Sequence, residues 1–154
     1  MKKLMICLLV LFPFSLVTAQ KSFTYKFQDA ATGPEYSRSY QIDVSKTNVH
    51  FLVFTGDKNF FEENRAINKD HYKAFVNNIE SCYLNRKSET KNDGCTGGTV
   101  ETIIVTNENR KVEGYVMHCG GTDSGNLKGS IEQAVQFFKE MVPGFDFKLN
   151  STKK

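Results

Sequence analysis

The residues best suited to chemistry gather between Gly94 and Gly125. Gly94-Cys95-Thr96-Gly97-Gly98 opens this stretch, and His118-Cys119-Gly120-Gly121-Thr122-Asp123-Ser124-Gly125 closes it. As a thiolate, Cys119 would be a nucleophile, with His71 or His50 as its base and Asp123 orienting the imidazole. His118 adjoins Cys119 and, on a strand, points to the opposite face, so it is poorly placed to activate that sulfur. Ser124 sits between Asp123 and Gly125, so the Gly-x-Ser-x-Gly elbow of a serine hydrolase is absent. Three cysteines with His118 would make a Cys₃His zinc set, yet no Cys-x-x-Cys pair is present. Asn126 stands where a phosphate-binding loop needs its second glycine. Glu62 and Glu63 are sequence neighbours and diverge instead of flanking a substrate. The spacing therefore assigns no catalytic residue, no metal and no cofactor.

The same cysteines have a structural use. Met1-Lys2-Lys3 followed by the apolar run Leu4 to Val17 and Val17-Thr18-Ala19 reads as a signal peptide cleaved after Ala19. Cleavage removes Cys7 and leaves Cys82, Cys95 and Cys119 in an oxidising compartment, an odd number that predicts one bridge and one buried thiol. Cys95 and Cys119 flank the open end of one predicted hairpin. A Cys95–Cys119 bridge would clamp that end, worth about 3 kcal/mol in the chain-entropy picture. Cys82–Cys95 is the alternative pairing.

Losing Lys2 and Lys3 leaves 18 basic against 17 acidic residues, a balance that offers nucleic acid or an anionic membrane nothing to hold. No second stretch approaches the length of a membrane span. Residues 20–149 read as one domain, and Asn150 to Lys154 as a polar, disordered tail.

The elements that must position these residues follow from periodicity. Phe23, Tyr25 and Phe27 alternate with polar neighbours in a half-buried strand. Tyr36 to Val44 alternates likewise. Val49 to Thr55 is apolar at both parities, which predicts a strand covered on both faces, with His50 on the Leu52/Phe54 side as a structural or surface histidine. Gly56 to Ala66 is a polar connector holding Phe60-Phe61, either tucked under the next helix or exposed toward a partner. Asn68 caps a helix of about Lys69 to Asn85, whose stripe of Tyr72, Phe75, Val76, Ile79, Cys82 and Tyr83 faces the core. Arg86 to Asp93 is a charged loop. Thr99 to Thr106 and Lys111 to Cys119 form a hairpin in which Glu108-Asn109 as central pair sets Gly114 opposite Ile103. Gly120 to Gly129 is a loop leaving Asp123 and Ser124 exposed for partner contact. Ser130-Ile131-Glu132-Gln133 is a capping box for a second helix ended by Pro143-Gly144. Phe145, Phe147 and Leu149 suggest a short final strand.

The order β-β-β-α-β-β-α predicts an α+β two-layer sandwich: a mostly antiparallel sheet of about five strands with two helices packed on it. Export, compactness and the lack of a catalytic constellation point to a small periplasmic or secreted bacterial protein that binds another protein of the envelope or medium. An inhibitor, an immunity-type protein or an envelope accessory factor fits. A small secreted enzyme using Cys119 or a loop acid, and a structural envelope protein, are the competing readings.

Overall fold

The computed structural model describes residues 21–30, 33, 36–90, 97–107 and 110–152. The signal-peptide reading, Cys95 and the last three residues of the expected charged loop, Lys91 to Asp93, fall outside them. Eight strands form one fully antiparallel sheet: β1 (Ser22–Asp29), β2 (Ser39–Val44), β3 (Asn48–Thr55), β4 (Lys58–Ala66), β5 (Asn85–Thr90), β6 (Thr99–Asn107), β7 (Arg110–Cys119) and β8 (Thr122–Lys128). Their order across the sheet is β4-β3-β2-β1-β6-β7-β8-β5. Among the described residues three helices accompany it, α1 (Lys69–Ser81), α2 (Ile131–Glu140) and α3 (Phe145–Ser151). This corrects the five-strand, two-helix sandwich expected from the sequence.

The three unexpected strands share a cause. NFFEENRA in β4, NRKSET in β5 and TDSGNLK in β8 lack apolar alternation. β4 and β5 are the two edges of the sheet, where charged side chains blunt the unpaired backbone and no second apolar face is needed. Polar edge strands look like loops in a sequence.

Alternation did place the first strands correctly. Phe23, Tyr25, Ile42, Val44, Val49, Phe51, Val53 and Ile103 are buried on one face, against Phe75, Val76 and Ile79 of α1 and Ala134, Val135 and Phe138 of α2. The other face of β3 is open: His50, Leu52 and Phe54 are half-buried, not covered as the double-parity run suggested. Gly114 faces Ile103 as expected. The Asn68 side chain caps α1 by accepting from His71 N at 2.8 Å. Ser130 makes no side-chain cap bond, so the expected capping box is not formed. Phe145 and Leu149 are also four apart, a helical spacing, and Gly144 in the left-handed region (φ +68°) turns the chain into α3 instead of a strand. Thr152 is buried and its carbonyl accepts from Arg38 Nε (2.9 Å) and Nη2 (2.8 Å), so the segment expected to fray is pinned as far as that residue.

The helices do not cover the sheet evenly. Eight strands spaced about 4.8 Å apart span roughly 34 Å, whereas two helices side by side cover about 20 Å. The ring contacts between helices and sheet land on β1, β2 and β3: Phe75 on Phe23 (5.2 Å between centroids), Phe138 on Tyr25 (5.7 Å) and Phe145 on Tyr40 (5.0 Å) and Phe51 (5.5 Å). β6, β7 and β8 carry no Phe or Tyr on that face. Clefts open there.

Candidate functional site

One such cleft, about 410 Å³, lies between β6, β7, β8 and the start of α2, lined by Glu101, Val116, His118, Asp123 and residues 129–133. Its polar groups come from three adjacent strands. His118 on β7 is directly opposite Asp123 on β8, and Nδ1 lies 2.7 Å from Asp123 Oδ1. On the other side Thr99 is opposite His118, so Glu101, two residues on, is the diagonal neighbour on the same face. Its Oε2 stands 3.8 Å from His118 Nε2, an ion-pair distance too long for a hydrogen bond.

Glu101 is anchored from below. Tyr25 donates its hydroxyl to Glu101 Oε1 at 3.0 Å, and Tyr40 lies 3.4 Å beyond. Burial pushes the Tyr25 phenol far above its usual range, with the Tyr40 and Glu101 charges adding to the shift. Burial likewise raises Tyr40, to about 12, against the lowering hydrogen bond it shares with Tyr25. Tyr25 therefore remains a donor at all ordinary pH, and it fixes one carboxylate oxygen while the other faces the cleft.

The backbone that brings Asp123 to His118 depends on Gly125. Its φ is +129°, and a Cβ there would lie 2.2 Å from the Tyr115 carbonyl oxygen. Only glycine lets β8 run this close beside β7.

The residues singled out by sequence scatter relative to this cleft. Asp123 belongs to it, but on a strand, not on the loop expected. Ser124 is buried, not exposed for contact. Phe60 and Phe61 lie on edge strand β4, not in a connector. Phe61 packs on Phe51 at 5.8 Å, and the Phe60 ring carries the Arg38 guanidinium at 4.1 Å. Cys119 points to the open face, opposite His118. His50 shares that face, but β3 and β7 are separated by three strands, about 19 Å, so it cannot serve as a base there. His71 is on the exposed side of α1. The thiol, base and acid of the competing enzyme reading are thus not brought together.

Cys82 is a free, fully buried thiol at the end of α1, raised by burial, which removes the Cys82–Cys95 alternative. Cys119 is disulfide-bonded, and its Sγ lies 3.3 Å from the Gly97 carbonyl oxygen, two residues beyond Cys95. The expected partner, Cys95, is not among the described residues.

Glu101 and His118 went unassigned in the sequence. The hairpin register alone set them diagonally on one face, a signal that was present. The pairing with Asp123 was hidden, because β8 read as a glycine-rich loop. No group able to hold a metal ion exists among the described residues. No described helix is long and apolar enough to cross a membrane. No protein family, curated protein or solved structure matches this chain.

Proposed function

We propose that this chain is a small exported bacterial protein that works by binding another protein of the envelope or medium, and that the His118 cleft receives the partner. The observation that carries the reading is what His118 faces. Nδ1 goes to Asp123 and Nε2 looks toward Glu101, and neither nitrogen bonds a hydroxyl or thiol among the described residues. A nucleophile-activating histidine needs such a group on one nitrogen. A histidine held between two carboxylates instead builds a fixed, acceptor-rich surface. Glu132 also lines the cleft, so three carboxylates and one imidazole share it. That set suits a lysine or arginine side chain on the partner, because charge-assisted bonds to carboxylates are the strong ones.

An exported location, with a Cys95–Cys119 bridge, accords with the leader and with the closeness of Cys119 to Gly97. The experiment is affinity capture from the envelope and medium of the producing organism, using the wild type, Glu101→Gln and His50→Ala as baits. The expected result is a partner held by the wild type and His50→Ala and lost with Glu101→Gln. Equal recovery by all three, or an ester or peptide substrate turned over by the wild type, overturns the reading.

A further inference from the structure

A second cleft opens where the end of α1 stops short of β6 and β7. It encloses about 310 Å³ beside Phe23, Ile79, Leu84, Val105 and Val112. All but Val105 are core residues at most 6 % exposed, so the floor of the cleft is the rim of the core itself, reached between the end of α1 and β6. Two cations and one carboxylate stand at the rim: Lys21, paired with Glu80 at 2.7 Å, and Arg110. Arg110 directs Nη2 to the Leu84 carbonyl at 2.9 Å, which holds the guanidinium at the mouth. A guanidinium has five donors, so this bond leaves the fork able to take a carboxylate.

Tyr83, expected on the core-facing stripe of α1 but lying past its C-cap, adds an independent mark. It is the one non-glycine among the described residues with positive φ, at +50°, and its side chain at the cleft is 83 % exposed. The position follows the C-cap of α1, where glycine is the usual residue. A tyrosine there adopts an unfavourable backbone and leaves its ring in water. Folding gains nothing from that choice.

We propose that this cleft binds a linear carboxylic acid of medium chain length, with the chain on Phe23, Val105 and Val112, the carboxylate on Arg110, and the Tyr83 ring closing over it. The apolar floor supplies affinity in proportion to the methylenes buried, and Arg110 supplies the polarity of the head group. The cleft lies at the low end of small-molecule site volumes, which favours a single short chain over a bulky lipid.

The test is calorimetric titration at neutral pH with hexanoate, octanoate, octylamine and octan-1-ol. Octanoate is expected to bind saturably, each added methylene to tighten binding about fourfold, and octylamine to bind at least tenfold more weakly. Arg110→Gln should weaken octanoate about tenfold and leave octan-1-ol unchanged, a control that also reports folding. Tyr83→Gly should raise the melting temperature while weakening octanoate, which a merely structural tyrosine would not do. Lack of saturable octanoate binding at millimolar concentration, equal binding of octylamine, or no dependence on chain length overturns the proposal. None of these variants is used in the capture experiment on the His118 cleft, so either reading can fail alone.

Discussion

His50 and His118 are built to the same plan on opposite faces of the sheet. Each sits on an inner strand with an aspartate directly across one neighbour and a glutamate diagonally across the other: Asp43 and Glu62 for His50, Asp123 and Glu101 for His118. The surroundings differ. Around His50 the contacts close: Nδ1 to Asp43 at 3.3 Å and Nε2 to Glu62 at 3.0 Å, with Asp43 also accepting from Thr24 (2.6 Å) and Gln41 (2.8 Å). Around His118 one side stays open at 3.8 Å, facing a cleft, while the glutamate is gripped from the core by Tyr25. The same three residue types are thus a satisfied cross-strand network in one place and an incomplete one in the other. Saturation, not composition, separates a structural cluster from a candidate site.

The comparison can be broken most severely at Gly125. Gly125→Ala forces a Cβ onto the Tyr115 carbonyl and an alanine into a glycine-only φ. The expected loss is about 3 kcal/mol or more in denaturant unfolding, with NMR signals of His118 displaced and those of His50 unmoved. Equal displacement of both would show that the two clusters are not independent.

Alkaline pH should act on the His118 side through its anchor. Tyr25 and Tyr40 both have folded pKa values raised above the unfolded value of 10, Tyr40 to about 12. Their stabilisation is therefore whole below pH 10 and is lost as pH rises from 10 toward 12, because the unfolded chain ionises first. Each ring should remove roughly 1 kcal/mol per pH unit in that window. A flat stability profile from pH 9 to 12 would mean that the pair is not buried as described.

Tyr25→Phe keeps the core volume but leaves the half-buried Glu101 carboxylate and the Tyr40 hydroxyl without their shared partner. A cost of about 1–2 kcal/mol is expected by chemical denaturation, together with weaker partner capture. The smallest effect concerns the histidines. Double-mutant cycles with Asp43→Asn/His50→Gln and Asp123→Asn/His118→Gln should give coupling of about 0.5–1 kcal/mol for the first pair and less for the second, whose aspartate is 67 % exposed. The reverse ranking would undo the distinction drawn from saturation.

The sequence shows one half of this molecule far better than the other. β1, β2, β3, β6, β7, α1 and α2 pack an apolar stripe on a core, and periodicity records that. β4 and β5 are edges, and β8 carries Gly125 and the polar Asp123, Ser124 and Asn126, so their strand character comes from pairing partners distant in the chain. The His50 network was legible only as a face assignment. The His118 cleft required β8, and β8 required the tertiary structure. The Phe145 helix misled because a five-residue segment satisfies both periods.

The place of β1 has a kinetic consequence. It lies between β2 and β6, pairing Phe23 with both Val44 and Val105. The first four strands can meander into a sheet as soon as they are made, but that sheet keeps an unpaired inner edge until residues some eighty positions later arrive. Closure across such a separation is slow compared with hairpin formation. For a chain that emerges N-terminus first, β1 is an open seam, and the interval before β6 docks is when a second copy's strand has its best opportunity to take the vacant position.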